Sequence, residues 1–255
     1  LNRESAKGLI LVDYQQYSPE KNLYAYKHGL ERYKNSAFYH IHLPFFGERF
    51  VSQAHDGDIT HKDDWKFAFD FVIADDLQNT YRMPGKSVQD FYCYDLPILA
   101  PADGYVVTLE DGIPDNEIGG VNLDKNWGNA IVIKHAEFLY SKITHIRAGS
   151  FKVKLGDQVK KGDLLATCGN SGRSPEPHIH FQMQSTPYIG AKTLKYPLAY
   201  YISKKDNNFK FHSFEYPEEG DTIFKISPNK LISEAMKFVP GMTMRYEVEQ
   251  DGKKE

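Results

Sequence analysis

The sequence has little cysteine and no excess of basic charge. Cys93 and Cys168 are the two cysteines among 255 residues, too few for a disulfide scaffold and not spaced as a zinc-thiolate site. They could form one bridge in an exported protein, but two buried thiols are an equally good interpretation. Lys and Arg number 31 against 34 Asp and Glu, a net charge of -3. This balance does not favour nucleic acid as a partner and fits a neutral or mixed-charge substrate better.

Long apolar runs are also missing. No stretch approaches the ~18 to 20 consecutive apolar residues of a membrane helix, and no positively charged start leads into an apolar signal region. We therefore expect a soluble chain with no membrane segment of its own. Because the sequence begins at Leu1 rather than at a methionine, we expect a trimmed or exported part of a longer protein, from which a membrane or lipid anchor could have been removed.

Short apolar runs separated by Gly, Asp and Asn turns fill residues 98–182. Such runs are typical of an antiparallel sheet or a partly open barrel, and 17 Tyr and 16 Phe also favour strands. Helix patterns are confined to residues 19–33 and 229–238. The fold is therefore predicted to be mainly β. We expect three parts: an N-terminal extension over 1–45, a main domain over 46–190 and a β-rich C-terminal extension over 191–255.

Two Gly-Asp turns flank a short arm in VKLGDQVKKGDLLAT, residues 153–167. These turns predict a compact hairpin with charged tips. A carrier domain would present a modifiable lysine between hydrophobic neighbours at such a tip. Lys160 and Lys161 form a simple charged pair instead, so a solvated turn is the better interpretation.

Two histidines, His178 and His180, are separated by one residue in PHIHFQ. Alternate residues of a strand share one face. The two imidazoles are therefore predicted to project together, while Ile179 and Phe181 face the other way. This arrangement makes the pair a candidate for a metal or catalytic site.

The same spacing recurs at His40 and His42 in FYHIHLPFF, so the spacing alone does not define a site. A catalytic zinc usually takes three protein ligands and keeps a fourth position for water, so further polar groups are needed. His61 and Asp70 are candidates, with Asp70 on the polar side of an alternating run, and His145 ends another alternating run. We interpret His40 and His42 as packing or surface residues of the N-terminal extension.

Seven motifs in a fixed order carry a resemblance to a known family. They are, in chain order, THKDDWKFAFDF, APADGYVV, GNAIVIKH, YSKITHI, VKLGDQVKKGD, GNSGRS and PHIHFQ. The series resembles the lysostaphin-type, or LytM-like, zinc endopeptidases, which cut peptide cross-links of bacterial cell walls. The resemblance covers about residues 46–185. It implies an antiparallel β fold of the duplicated hybrid motif type, with a groove over the zinc.

The resemblance also implies roles for five residues. His61, Asp70 and His180 would bind Zn²⁺, and His145 and His178 would be the catalytic pair. We expect His178 to act mainly as the base, and His145 to stabilise the oxyanion or share in proton transfer. The implied partners are peptidoglycan peptide stems or cross-links, and the implied location is extracytoplasmic, in the periplasm or cell envelope.

The chain departs from the family pattern in two places. Ala54 stands where the family often has a glycine before the first ligand, and the connection between Asp70 and PILAP is unusually long. All five implied residues are present, which favours an active enzyme over a catalytically silent wall-binding or hydrolase-activating domain. A phosphotransfer protein of the sugar-permease type shares the architecture and uses paired histidines, but it would not need His61 and Asp70.

Overall fold

The computed structural model describes residues 23, 25–27, 39–205, 208–226, 249–250 and 253–254. The chain divides into two compact units, Leu1–Lys225 and Ile226–Glu255. The domain boundaries expected from the sequence stay predictions.

Twelve of the described strands belong to the first unit. In chain order they are β1 (Arg49–Gln53), β2 (Ala68–Val72), β3 (Pro97–Leu99), β4 (Gly104–Glu110), β5 (Asn129–Ala136), β6 (Leu139–Ile146), β7 (Gln158–Val159), β8 (Leu164–Thr167), β9 (Ile179–Gln184), β10 (Leu198–Lys205), β11 (Asn208–Glu215) and β12 (Thr222–Lys225). The described part of the second unit contains an antiparallel pair, β13 (Glu249–Gln250) with β14 (Lys253–Lys254).

Helix is scarce in the described residues. It comprises residues 23 and 25–27 and two single-turn 3-10 helices, Asp63–Trp65 and Val88–Asp90. The helix predicted over 19–33 is thus described only in part, and the one predicted over 229–238 lies outside the described residues. None of the described helices has the length and apolar character needed to span a bilayer.

Ten strands form one antiparallel sheet in the order β11-β10-β12-β1-β2-β9-β6-β5-β4-β7, and β3 pairs with β8 in a separate two-stranded sheet. Across the described strands, β11 and β7 remain the two edges of the large sheet, so it is open rather than a closed barrel. The prediction of a mainly β, antiparallel fold is confirmed. The hairpin prediction over 153–167 is wrong, because β7 pairs with β4 and β8 pairs with β3.

The core lies on one face of the central strands. Ile179 and Phe181 of β9 are fully buried in it, together with Phe69 and Phe71 of the neighbouring β2. Burial of each such side chain contributes roughly 1.5 to 3 kcal/mol to the stability of the fold. This contribution determines the face of β2 and β9 that turns inward. Because the side-chain period of a strand is two, the alternate residues of both strands must emerge together on the opposite face.

The cysteines are two buried, free thiols whose Sγ atoms lie 3.3 Å apart. Cys93 belongs to the long connection between β2 and β3, and Cys168 directly follows β8. The contact therefore joins that connection to the segment that follows β8.

Candidate metal centre and active-site cleft

The sheet register places Asp70 directly opposite His180 on the antiparallel strands β2 and β9. Oδ1 of Asp70 lies 2.9 Å from Nδ1 of His180. The loop after β1 brings His61 to the same point, with Nε2 3.2 Å from Oδ2 of Asp70. One candidate ligand atom from each of these three buried residues lies within 4.8 Å of the other two.

The proton on the His61 ring can be placed from its partner. Nδ1 lies 2.8 Å from the carbonyl oxygen of Ala54, and a carbonyl can only accept, so Nδ1 carries the hydrogen. In the neutral ring, Nε2 then holds a free lone pair. It is buried and makes no hydrogen bond within the described residues, which is costly unless the atom meets a proton or a cation. Two imidazole nitrogens and a carboxylate are a donor set that zinc accepts, so the three residues fit this metal.

A row of buried glutamines orients His180. Gln182 and Gln184 follow it on the same face of β9 and are fully buried. The Gln182 amide nitrogen donates to Oε1 of Gln184 at 3.0 Å, which leaves Oε1 of Gln182 to accept from Nε2 of His180 at 3.1 Å. Nδ1 of His180 is therefore the ring atom that faces Asp70 and would bind a metal.

His145 and His178 lie beside this cluster, with ring centroids 4.7 Å apart. His145 has a left-handed backbone, φ 61°, a strained conformation that clusters at functional sites. Its Nδ1 donates to the carbonyl of Ser171 at 2.7 Å, and Nδ1 of His178 donates to the carbonyl of Glu176 at 2.9 Å. Both residues thus keep Nε2 as an acceptor, and Nε2 of His178 lies 3.7 Å from Oδ1 of Asp70.

Burial and charge act in opposite directions on the acidic member of the cluster. Burial raises the pKa of Asp70, but the nearby His178, His180 and His61 outweigh it and hold the pKa well below its usual value. Burial and the neighbouring His178 and His180 lower the pKa of His145 well below its usual value. The arrangement therefore favours an ionised Asp70 beside a neutral His145.

All five residues predicted from the sequence line one cleft of about 460 Å³. Its walls also contain Trp65 and Trp127, whose rings pack edge to face with their centroids 5.6 Å apart. Behind Trp127 lies the fully buried Lys142, with Nζ 3.1 Å from the ring centroid and 2.7 Å from the carbonyl of Ile189. Burial lowers the pKa of Lys142 well below its usual value.

The long connection between β2 and β3 contacts the cleft wall. The Thr80 hydroxyl donates to Oε2 of Glu176 at 3.3 Å, and Glu176 lines the cleft. Ala54, the other departure from the family pattern, acts through its backbone, since its carbonyl accepts a hydrogen bond from Nδ1 of His61. Both departures are therefore compatible with the cluster.

His40 and His42 lie elsewhere. They line a separate depression with Tyr39, Asp103 and other residues, and both rings pack against Tyr200. Burial, together with nearby lysines, lowers the pKa of His42 to about 4. His40 is exposed and His42 is partly buried, which fits the packing or surface roles expected for the pair.

Another histidine network joins β10 and β11. Nε2 of His212 lies 2.8 Å from the Ser203 hydroxyl, and its Nδ1 lies 2.8 Å from Oε2 of Glu215. The hydrogen bonds from Ser203 through His212 to Glu215 follow the order of a Ser-His-acid triad. Ser203, however, lies within β10, between the paired strands β11 and β12. Its backbone belongs to the sheet and is not arranged as an oxyanion hole. We interpret the network as structural.

Sequence reasoning missed the cleft residues Gln53 and Trp127 and the buried Lys142 that packs against Trp127. Gln53 makes hydrogen bonds to both Asp70 and the loop of His61. A lysine at a buried position of an alternating strand was the available signal for Lys142. The partners of Gln53 are distant in sequence and left no such signal.

Residues 87–189 match the sequence profile of Peptidase family M23. The match includes His145, His178 and His180, whereas His61 and Asp70 precede it. Among solved structures, similarity is found to the catalytic domain of the prophage-encoded M23 protein EnpA from Enterococcus faecalis, at 21% identity over 60% of this chain and 92% of that chain, with a TM-score of 0.38. The catalytic domain of lysostaphin from Staphylococcus simulans is 18% identical over 58% of this chain and 87% of that chain, with a TM-score of 0.34.

Several curated proteins are also similar. The chain is 31% identical to the cell division protein DipM of Caulobacter vibrioides over 38% of this chain and 14% of that protein. It is 24% identical to the glycyl-glycine endopeptidase ALE-1 of Staphylococcus capitis over 61% of this chain and 46% of that protein. It is 30% identical to the peptidoglycan DD-endopeptidase ShyA of Vibrio cholerae over 42% of this chain and 26% of that protein. The chain spans less than half the length of each of these three relatives. The resemblance inferred from the ordered motifs is confirmed by the match of residues 87–189 to the profile of Peptidase family M23.

Proposed function

We propose that this protein is a zinc-dependent endopeptidase that hydrolyses peptide cross-links of bacterial peptidoglycan. The observation that carries the proposal is the meeting of two histidine sets in one cleft. His61, Asp70 and His180 present three ligand atoms to one point, and the His145 and His178 rings lie against each other beside them. A catalytically silent domain would need the groove but not this combination.

Zinc, when bound, supplies a Lewis acid that activates water near neutral pH and polarises a peptide carbonyl. In this proposal Nε2 of His61, the Asp70 carboxylate and Nδ1 of His180 would hold the metal. The hydrogen bonds of the two rings to Ala54 and Gln182 leave these two nitrogens as the atoms whose lone pairs can bind the metal.

The catalytic pair moves protons. Because Nδ1 of His178 is tied to the Glu176 carbonyl, its Nε2 can accept a proton from the attacking water and pass it to the leaving amine. His145 has the same tautomer, since its Nδ1 donates to the Ser171 carbonyl. Its Nε2 must first gain a proton before it can donate to an oxyanion, so shared proton transfer is the role that we propose for His145.

The substrate assignment draws on the relatives. One is named a glycyl-glycine endopeptidase and another a peptidoglycan DD-endopeptidase, so we propose peptidoglycan peptides as the partner. This polymer lies outside the cytoplasm, and we propose an extracytoplasmic location for the same reason. The cleft, with Trp65 and Trp127 in its wall, would accept an extended peptide.

Digestion of purified cross-linked muropeptides, with product identification by mass, tests the proposal. The zinc-loaded protein should create new amine termini at one type of linkage, and the chelated protein should not. Intact muropeptides after incubation with fully zinc-loaded protein would instead support a silent wall-binding or hydrolase-activating domain.

A further inference from the structure

One buried amide connects the segments that carry two of the candidate ligands. Gln53, in β1, is 4% exposed. Its Nε2 donates to Oδ2 of Asp70 at 2.8 Å and to the Thr60 hydroxyl at 2.8 Å. Its Oε1 accepts from the backbone N–H groups of Ile59 at 3.1 Å, Thr60 at 2.8 Å and His61 at 3.3 Å.

We propose that Gln53 is the positioning residue of the metal centre: it holds the loop of His61 against the carboxylate of Asp70 and so sets the affinity for zinc. This inference rests on the proposed zinc site. Metal-ligating carboxylates are commonly hydrogen-bonded by such partners, whose loss typically lowers metal affinity ~10 to 100-fold.

The chemistry of the amide explains why glutamine suits this position. The loop requires an acceptor for its N–H groups, and Asp70 requires a donor, and a primary amide offers both. Glutamate would keep the acceptor but would place a like charge against Asp70. Methionine has a similar length but supplies neither strong group.

The glycine at position 57 shows how closely the loop packs on this amide. A Cβ atom at Gly57 would lie 2.4 Å from Cγ of Gln53 and 2.9 Å from its Oε1. Both distances are below a normal contact, so Gly57→Ala should displace the Gln53 side chain. This change reaches the ligands through Gln53 and provides a second test independent of Gln53→Met.

The test measures zinc affinity of the full chain by competition with a fluorescent chelator, with thermal unfolding of the metal-free protein alongside. Gln53→Met should bind zinc ~10 to 100-fold more weakly than wild type while remaining folded. Ser203→Ala is the matched control, because it removes a buried hydrogen bond to His212 on β10, three strands away from the β2 strand of Asp70. It should lower stability without changing zinc affinity.

Gly57→Ala should weaken zinc binding in the same direction, and it decides the outcome if Gln53→Met does not fold. Its control is Gly120→Ala, in which the new Cβ atom would lie 3.1 Å from the Glu117 carbonyl oxygen. This variant should leave zinc binding unchanged. Wild-type zinc affinity in folded Gln53→Met or in Gly57→Ala would overturn the inference and leave the proposed function intact. A wild-type chain that binds no zinc would overturn both.

Discussion

Asp70 and His180 face each other across the β2–β9 pair, with Oδ1 of the carboxylate 2.9 Å from Nδ1 of the imidazole. The register of two central strands, rather than a surface loop, sets this distance. Both strands bury their phenylalanines in the core, so a shift of either strand by one residue would turn its own polar side chain away from the cleft. Packing of the core therefore preorganises two of the three proposed ligands.

The two histidines of PHIHFQ should behave differently when replaced. His180→Ala should lose both zinc and activity, because it removes a proposed ligand. His178→Ala should stay folded and keep its zinc but lose ~10²- to 10⁴-fold in turnover, the usual contribution of a general acid-base group. Zinc content and muropeptide cleavage by each variant check this. A fully active His178→Ala would remove that residue from the mechanism.

The other closely spaced pair provides the control. His42→Gln should leave zinc content and cleavage close to wild type, because His42 lines a different depression and packs on Tyr200. Any loss should be confined to thermal stability. A metal-free His42→Gln that is otherwise folded would show that the wrong pair had been assigned.

Acid should destabilise the fold partly through His135. Its Nδ1 donates to the Asp103 carbonyl and its Nε2 accepts from the Ser141 hydroxyl, and burial lowers its pKa to about 4. An unfolded histidine titrates near ~6.5. The unfolded chain therefore binds more protons between these values, so the stability contribution present above pH ~6.5 is lost as pH falls towards ~4.

Replacing this histidine should reduce that acid sensitivity. The unfolding free energy of wild type should fall between pH 7 and pH 4.5 by roughly 1 to 3 kcal/mol more than that of His135→Gln. Urea unfolding with a chelator in every sample measures this without a contribution from metal release. Equal pH dependence in the two proteins would contradict the prediction.

The thiols of Cys93 and Cys168 should form one intramolecular disulfide on treatment with diamide, because their Sγ atoms are already in contact. The pair gives up two electrons and two protons, which reduce the azo group of diamide to a hydrazine. The bridge should raise the unfolding free energy by ~4 kcal/mol in the loop-entropy treatment. Two titratable thiols in the treated, denatured protein would contradict this, and Cys93→Ser provides the unbridged control.

The parts of the site that the sequence predicts are those with a local pattern. The alternation in PHIHFQ places His178 and His180 on one face because a strand has a period of two residues. The pairing of β7 with β4 and of β8 with β3 was missed, because two adjacent glycine turns look locally like one hairpin. Gln53 was missed for a related reason, since its role depends on the meeting of β1, β2 and a loop.

The zinc content of wild type and Asp70→Ala, measured by elemental analysis after equilibration with zinc and removal of the excess, tests the central claim most directly. Asp70 contacts His61, His178 and His180 at once, so its loss removes a ligand and the charge that balances the cation. We expect one zinc per wild-type chain and little zinc in folded Asp70→Ala. Full zinc occupancy in Asp70→Ala would contradict the proposed metal centre.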